Sequence, residues 1–283
     1  MTLLMGAVAY DPKVVTIWSG FRSWLVERGL PFDFLLYSNY ERQVSDLVDG
    51  RIHAAWNSPL AWIRAERLAT ARGRRVRALV MRDTDQDLTS VVVVAGDARY
   101  ETVADLKGAV VAVGAVDSPQ ATLIPLSHLR MLGLDVGRDV TVRRFDVGVG
   151  LHGDHVGGER DAARALAAGE VAAACMLDAN HLLFAQEGTL VAGGTRVIAQ
   201  TDPYDHCNMT VIDSAPADLV DGFARLLLSM SYADPAVRPL LDLEGLRAWR
   251  PARTGGYGAL RRAVDETGFY DARGGILAEE YIP

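Results

Sequence analysis

The chain has 283 residues, 23% of them charged and 49% hydrophobic, a composition typical of soluble globular proteins and enough for one large domain or two medium lobes. Its net charge of −7 argues against phosphate backbones as partners, so no nucleic acid is expected, while a local anion site built from backbone N–H groups stays open. No apolar run approaches the roughly 20 residues that span a bilayer, and two cysteines make no disulfide framework.

The first residues, Met1 to Asp11, carry no basic segment and run directly into a strand, so a reduced, cytoplasmic protein without membrane insertion is expected. Leu3–Ala9 reads as a buried strand. Asp11-Pro12 opens a helix with Val14, Ile17, Trp18, Phe21 and Leu25 at helical spacing. A strand at Phe32–Tyr37 leads through the cap Ser38-Asn39 into a helix from Tyr40 to about Asp49. Ile52–Trp56 is a strand, Asn57-Ser58-Pro59 a turn and Leu60–Ala71 a helix. This strand–helix alternation implies parallel strands joined by helical crossovers. Val76–Met81 and Ser90–Ala95 read as strands, Thr102–Leu106 as a short helix and Ala109–Val113 as a strand. The run from Gly114 to Thr122 then enters a helix that lasts to Leu132. Val140–Arg144 is a strand, Arg160–Ala168 a helix, Val171–Met176 a strand and Asp178–Gln186 a helix. Arg196–Ala199 and Asn208–Ile212 are further strands, and the pattern is mainly helical from Pro216 onward.

The chemistry concentrates in one stretch. Phe145 to Asp161 holds five glycines, two histidines and four acids between a strand and a helix. Glycines let a backbone approach a ligand closely. His152, Asp154 and His155 are candidate metal ligands or acid/base groups, and Glu159 stands at a helix start. Asp178 and His181 follow a strand end, and Asp205, His206 and Cys207 form a further polar run. His152-Gly-Asp-His-Val-Gly-Gly158 matches part of a metallo-β-lactamase signature. Gly150 stands where its first histidine belongs and the element order differs, so the match is local. A bland reading stands beside each of these: His152 and His155 as polar loop groups, Glu159 and Asp161 as helix-start acids, Cys175 as core, and His53 and His128 as structural. Trp18, Trp24, Trp56 and Trp62 read as core. No P-loop, nucleophile elbow or dinucleotide fingerprint is present, so no nucleotide cofactor is expected.

Asp105-Leu-Lys-Gly-Ala-Val-Val-Ala-Val-Gly114, followed by Ser118 and Pro125, resembles the run into the second lobe of phosphate/phosphonate-binding (PhnD-like) solute receptors, which have the type II periplasmic-binding-protein fold. Ala162–Ala174 and Ile52–Ala61 are similar to two further elements of that family. The resemblance implies a two-lobed α/β fold with a ligand cleft between the lobes, lobe one being 1–88 plus 206–283 and lobe two 89–205. It also implies hinge closure on a small molecule lined by Tyr10, Asp11, Ser38, Asn39, Tyr40, Asn57, Ser58, Ser118, Gln120, Thr122 and the glycine-rich loop. In the family the run here occupied by Ser118–Thr122 binds an anion, but Pro119 removes one donor N–H.

Two function classes follow. The leading expectation is a cytoplasmic enzyme on this scaffold, of lyase, decarboxylase or hydrolase type. His155, His206, Glu159 and Asp178 would be its catalytic groups, and His152, Asp154, His155 and His206 would hold a divalent transition metal, zinc or iron. The alternative is a non-catalytic solute-binding or sensor protein of an ABC transporter.

Overall fold

The computed structural model describes residues 1–283. The chain begins β1 (Leu3–Val8), α1 (Lys13–Glu27), β2 (Phe32–Tyr37), α2 (Tyr40–Val48), β3 (Ala54–Asn57), α3 (Pro59–Ala71), β4 (Val76–Ala78) and β5 (Val80–Arg82). It continues with β6 (Ser90–Ala95), β7 (Val110–Val113), α4 (Ile124–Met131), β8 (Thr141–Arg144), α5 (Gly157–Ala167), β9 (Ala173–Leu177), α6 (Asp178–Gln186) and β10 (Thr195–Gln200). It closes with β11 (Asn208–Ile212), α7 (Ala217–Ser229), α8 (Arg238–Glu244), β12 (Trp249–Pro251) and α9 (Gly258–Thr267).

Two five-stranded sheets result, ordered β2-β1-β3-β11-β4 and β10-β6-β9-β7-β8. Each is the floor of one lobe. The parallel pairs β1–β2, β1–β3, β7–β8 and β7–β9 follow from the helical crossovers. The sheets are nonetheless mixed. β11 runs antiparallel to β3 and β4, and β6 antiparallel to β9 and β10. The reason is topological: β6 leads the chain into the second sheet and β11 leads it back, so each enters its sheet against the local direction. The single strand expected at Val76–Met81 is two, because Leu79 marks a switch from the first sheet to a separate β5–β12 ribbon.

Apolar periodicity explains the packing. The buried face of α1 places Trp18 and Phe21 against Trp56 and Trp249, with ring centroids 5.3–6.5 Å apart, while Asp11 Oδ1 accepts from Lys13 N at its start. All four tryptophans read as core are buried. Buried Cys175 lies in β9, and His53 accepts from Leu4 N at 3.0 Å. No helix is long and apolar enough to cross a membrane.

The chain crosses between the sheets at 83–89 and 201–207, and the crossings bond to each other. Leu88 and Tyr204 exchange two backbone bonds of 2.8 Å, and His206 N donates to Asp85 O at 2.8 Å. The segment after Gly258 touches both lobes, a feature missed by assigning all of 206–283 to lobe one. It meets lobe one through Arg64 and Arg67, which donate to the Gly274 and Tyr270 carbonyls, and lobe two through Arg130–Glu266 and Arg144–Glu280.

One glycine of the central stretch serves packing. A Cβ on Gly158 would stand 2.5 Å from the Phe145 carbonyl oxygen, a backbone atom that cannot swing away. We expect Gly158→Ala to destabilise the protein by roughly 1–3 kcal/mol through overpacking, read as a fall in urea midpoint at unchanged slope.

Candidate functional site

The site is the seam where the loop 148–154 lies between the two lobes. On the lobe-two side, the turn after β7 supplies Asp117 and then a single π-turn over Pro119–Leu123 that starts α4. Asp117 Oδ2 accepts from Gly150 N (2.7 Å) and His152 N (3.1 Å). Ser118 Oγ caps the turn by accepting from Ala121 N. Gln120 Nε2 donates to Gly153 O at 2.7 Å and to Glu159 Oε1 at 3.2 Å, while Thr122 Oγ1 and Gln120 Oε1 are buried with no protein partner. The loop makes this approach because Gly148, Gly150, His152 and Gly153 all have positive φ. Three are glycine, and His152 at +50° is held there against its own preference.

On the lobe-one side, Asn39 caps α2 by accepting from Arg42 N, and Ser58 caps α3 by accepting from Ala61 N. The two helix starts therefore present Tyr40, Glu41 and Ser58 to the seam. His152, fully buried, fills the gap between them. Its Nδ1 lies 2.7 Å from Ser58 Oγ, and its Nε2 lies 2.9 Å from Glu41 Oε1 and 3.1 Å from Tyr281 Oη. The Tyr40 ring stacks on the imidazole at 4.7 Å and 17°, and the Tyr40 hydroxyl donates to Asp154.

Burial opposes charge on His152, but the Glu41 carboxylate beside it outweighs this and raises the imidazole above its ordinary value. Burial likewise pushes Glu41 up. The His152 charge and hydrogen bonds from His152, Tyr270 and Tyr281 overcome that and hold the carboxyl at about 2. Asp117 and Asp154 are both raised by burial.

A second cluster lies at the root of the crossings. Half-buried Arg82 donates to both oxygens of buried Asp85, at 2.6 and 2.8 Å, and to the Glu244 carbonyl at 3.0 Å. Its Nη1 lies 3.4 Å from Glu244 Oε1. Burial would raise Asp85, yet the Arg82 charge holds it at about 2, whereas burial lifts Glu244 to about 7. His206 Nδ1 lies 3.1 Å from Cys207 Sγ and 3.6 Å from Asp85 Oδ1. One ligand atom each from Asp85, His206 and Cys207 falls within 4.8 Å of the others. This set does not fit a divalent cation, because Arg82 already occupies both Asp85 oxygens and its guanidinium would face the ion. Burial also pushes the Cys207 thiol far up, so the thiolate a metal needs is disfavoured.

The expected sites therefore separate. Tyr40, Ser58, Ser118, Gln120, His152 and Asp154 do meet at the seam, and half-buried Tyr10 stands close to Asp154. Thr122 instead lines a recess with Val116, Leu126, Val142 and Phe269. His155 does not. It is exposed, with Nδ1 accepting from Gly157 N, because the left-handed turn at 152–153 sends the two histidines to opposite sides. The proposed metal set of His152, Asp154, His155 and His206 is thus not assembled, since both ring nitrogens of His152 are also engaged by Ser58 and Glu41. Glu159 is consumed by Asn180 Nδ2, Leu177 N and Gln120, which tie α5 to β9 and α6. Asp178 is half-buried at the start of α6 with no side-chain bond, and His181 is held by Thr195 at the end of β10 away from the crossings. Ser38 is exposed, and Asn57 is spent on Gln43 and Thr210. Sequence reading missed Glu41, Arg82, Asp85, Asp117, Glu244 and Tyr281. Only Asp117 carried a signal, as the residue directly before Ser118.

A family model for the phosphonate periplasmic substrate-binding protein of ABC transporters matches residues 6–257. The chain belongs to that family. This favours the binding-protein alternative over the enzymatic reading. Its fold is the two-lobed α/β fold of known binding proteins. PhnD1 from Prochlorococcus marinus, solved with methylphosphonate, superposes with a TM-score of 0.69 at 13% identity, covering 94% of this chain and 98% of that one. XAC2383 from Xanthomonas citri gives 0.71 at 17%, covering 94% and 99%. The aliphatic sulphonate binding protein SsuA from Escherichia coli gives 0.60 at 17%, covering 100% and 94%. Comparison with curated proteins finds no match.

Proposed function

We propose that this chain is the solute receptor of an ABC transporter and closes its lobes on a small oxyanion of the phosphate, phosphonate or sulphonate kind. The observation that carries this reading is the family match across both lobes, supported by the buried seam they share. Within that seam, the turn leading into α4 offers the Ser118 hydroxyl and the Gln120 amide on the same side, both against Gly153, and helix starts favour anions. Pro119 removes one N–H from that turn, so recognition leans more on side chains than on a full set of backbone donors. Transport from outside the cell asks for export, against the cytoplasmic expectation from the first residues, and fractionation of the native host separates the two.

Melting scans with phosphate, methylphosphonate and an aliphatic sulphonate test the ligand class. A ligand at a hundred times its Kd stabilises by about 2.7 kcal/mol, which lifts the melting temperature of a chain this size by roughly 5–10 °C. If none of the three moves the transition at millimolar concentration, the oxyanion reading is wrong.

A further inference from the structure

The segment 150–154 is bonded on both sides, as a bound solute would be. Towards lobe two, Gly150 N and His152 N donate to Asp117 and the Gly153 carbonyl accepts from Gln120. Towards lobe one, the Gly150 carbonyl accepts from Tyr40 N at 3.3 Å, His152 spans Ser58 and Glu41, and Asp154 accepts from the Tyr40 hydroxyl. A surface loop needs none of these, because water satisfies its polar groups. The fit is also tight: a Cβ on Gly153 would stand 2.5 Å from Ser118 Oγ and 2.6 Å from Gln120 Nε2. His152 keeps a left-handed backbone within this arrangement, a strained conformation that persists only where its surroundings over-determine it.

We infer that His152-Gly153-Asp154 is an internal occupant of the interlobe cleft, which holds the protein closed without solute and must be displaced before solute binds. The inference rests on the proposed function only for where the solute goes. Displacement sets selectivity. An incoming molecule must satisfy the Gln120 amide that Gly153 releases and also offer a hydrogen-bond donor or a cation to Glu41, which His152 leaves buried. A molecule that does only the first leaves the buried Glu41 carboxylate without a counter-charge, held only by neutral donors such as the Tyr270 hydroxyl. The apparent affinity of any solute is reduced by the fraction of molecules in which the segment is out.

Hydrogen exchange on the full chain, free of solute, tests this directly. Amides of 150–154 should exchange on the order of 100-fold or more slowly than an unstructured peptide. Exchange at the unstructured rate would overturn the inference. His152→Gly removes the plug's side chain and relieves its backbone; it should abolish protection across 148–154 and leave β1, β6 and β9 protected. Protection that survives unchanged would also overturn it. If His152→Gly does not fold, Gly153→Ala serves, since the added methyl must push the segment off Ser118 and Gln120. Whichever oxoanion of the panel binds should then bind that variant at least tenfold more tightly, and equal affinity for wild type and variant counts against the plug. The exchange arm uses no solute, so a failure of the proposed ligand class leaves this test intact.

Discussion

Replacing Arg82 with methionine is expected to cost about 3–5 kcal/mol of stability at neutral pH, the usual loss when one partner of a buried ion pair is removed. Arg82 is the counter-ion of two buried acids, bonded twice to Asp85 and once to the Glu244 backbone, with Glu244 Oε1 3.4 Å away. It also lies over the Trp56 ring, 5.3 Å from the centroid. Methionine keeps most of the volume and none of the charge, so the Asp85 carboxylate is left charged in a desolvated corner between the crossings, while Glu244, already raised to about 7, takes up a proton. The sign of the pH dependence follows from Asp85. Its folded value of about 2 is below the ordinary 3.9 or so, so its pairing stabilises the protein above about pH 4 and that stability is lost as pH falls towards 2. The penalty of Arg82→Met should therefore shrink in acid. Urea unfolding of wild type, Arg82→Met and Arg82→Met/Asp85→Asn measures it. The double variant should recover part of the loss, with a coupling of roughly 0.5–3 kcal/mol. A single-variant loss below about 1 kcal/mol would mean the corner is far wetter than its burial indicates.

Much of the fold was legible because its elements announce themselves locally. The apolar face of α1, the cap at Asn39, and the Val-rich β6 and β7 each read correctly from the local sequence, and Ser58, read as part of a turn, caps α3. What escaped depends on partners distant in sequence. β12 is three residues long and exists because β5 lies beside it. The switch at Leu79 has no local marker, since Val76–Met81 is uniformly strand-like. The antiparallel strands reflect the direction in which the chain enters each lobe, which no local pattern encodes.

The site was legible in its location and not in its wiring. The glycine-rich stretch lies along the seam, and its glycines serve different ends: Gly150 and Gly153 lower the loop into the seam, and Gly158 admits the Phe145 carbonyl. His152 and His155 are three positions apart with the same side chain, and only the backbone turn between them decides that one is buried and one exposed. Glu41 reads as a first-turn helix acid, and its pairing with a histidine 111 residues away is invisible before the lobes are assembled. Ser58, His152 and Glu41 form a row of the kind used in hydrolases, and this raises the question of catalysis. Here Ser58 accepts from Ala61 N, is fully buried, and meets an imidazole borne by the other lobe. The row therefore fastens the lobes together.

That fastening should show a distinctive pH profile, which His152→Asn would remove. Asparagine tolerates the left-handed backbone, so the variant isolates the loss of the imidazole from any relief of strain. His152 is raised above its ordinary 6.5 by Glu41. The stability it contributes is fully present below pH 6.5 and is lost as pH rises through its folded value. Glu41, held at about 2, contributes above roughly pH 4.5 and is lost as pH falls towards 2. The pair is thus strongest between these limits. Asp117 and Asp154, raised by burial and also facing His152, act in the opposite sense, favouring the folded state as they protonate, which blurs the acid side. The alkaline side is cleaner, because the other neighbours, Tyr40, Tyr270 and Tyr281, all have hydroxyls raised further from neutrality. At pH 5.5–6.5, His152→Asn should lose about 3–5 kcal/mol, since it leaves Glu41 buried without its counter-charge. The loss should fall steadily towards pH 9, as wild type surrenders the same charge. Tyr40→Phe, which removes only a neutral hydroxyl, should show no such slope. Paired urea titrations at several pH values between 5.5 and 9 decide the matter, and a penalty for His152→Asn that stays flat across that range would mean the imidazole is neutral in the folded protein and packs the seam without charging it.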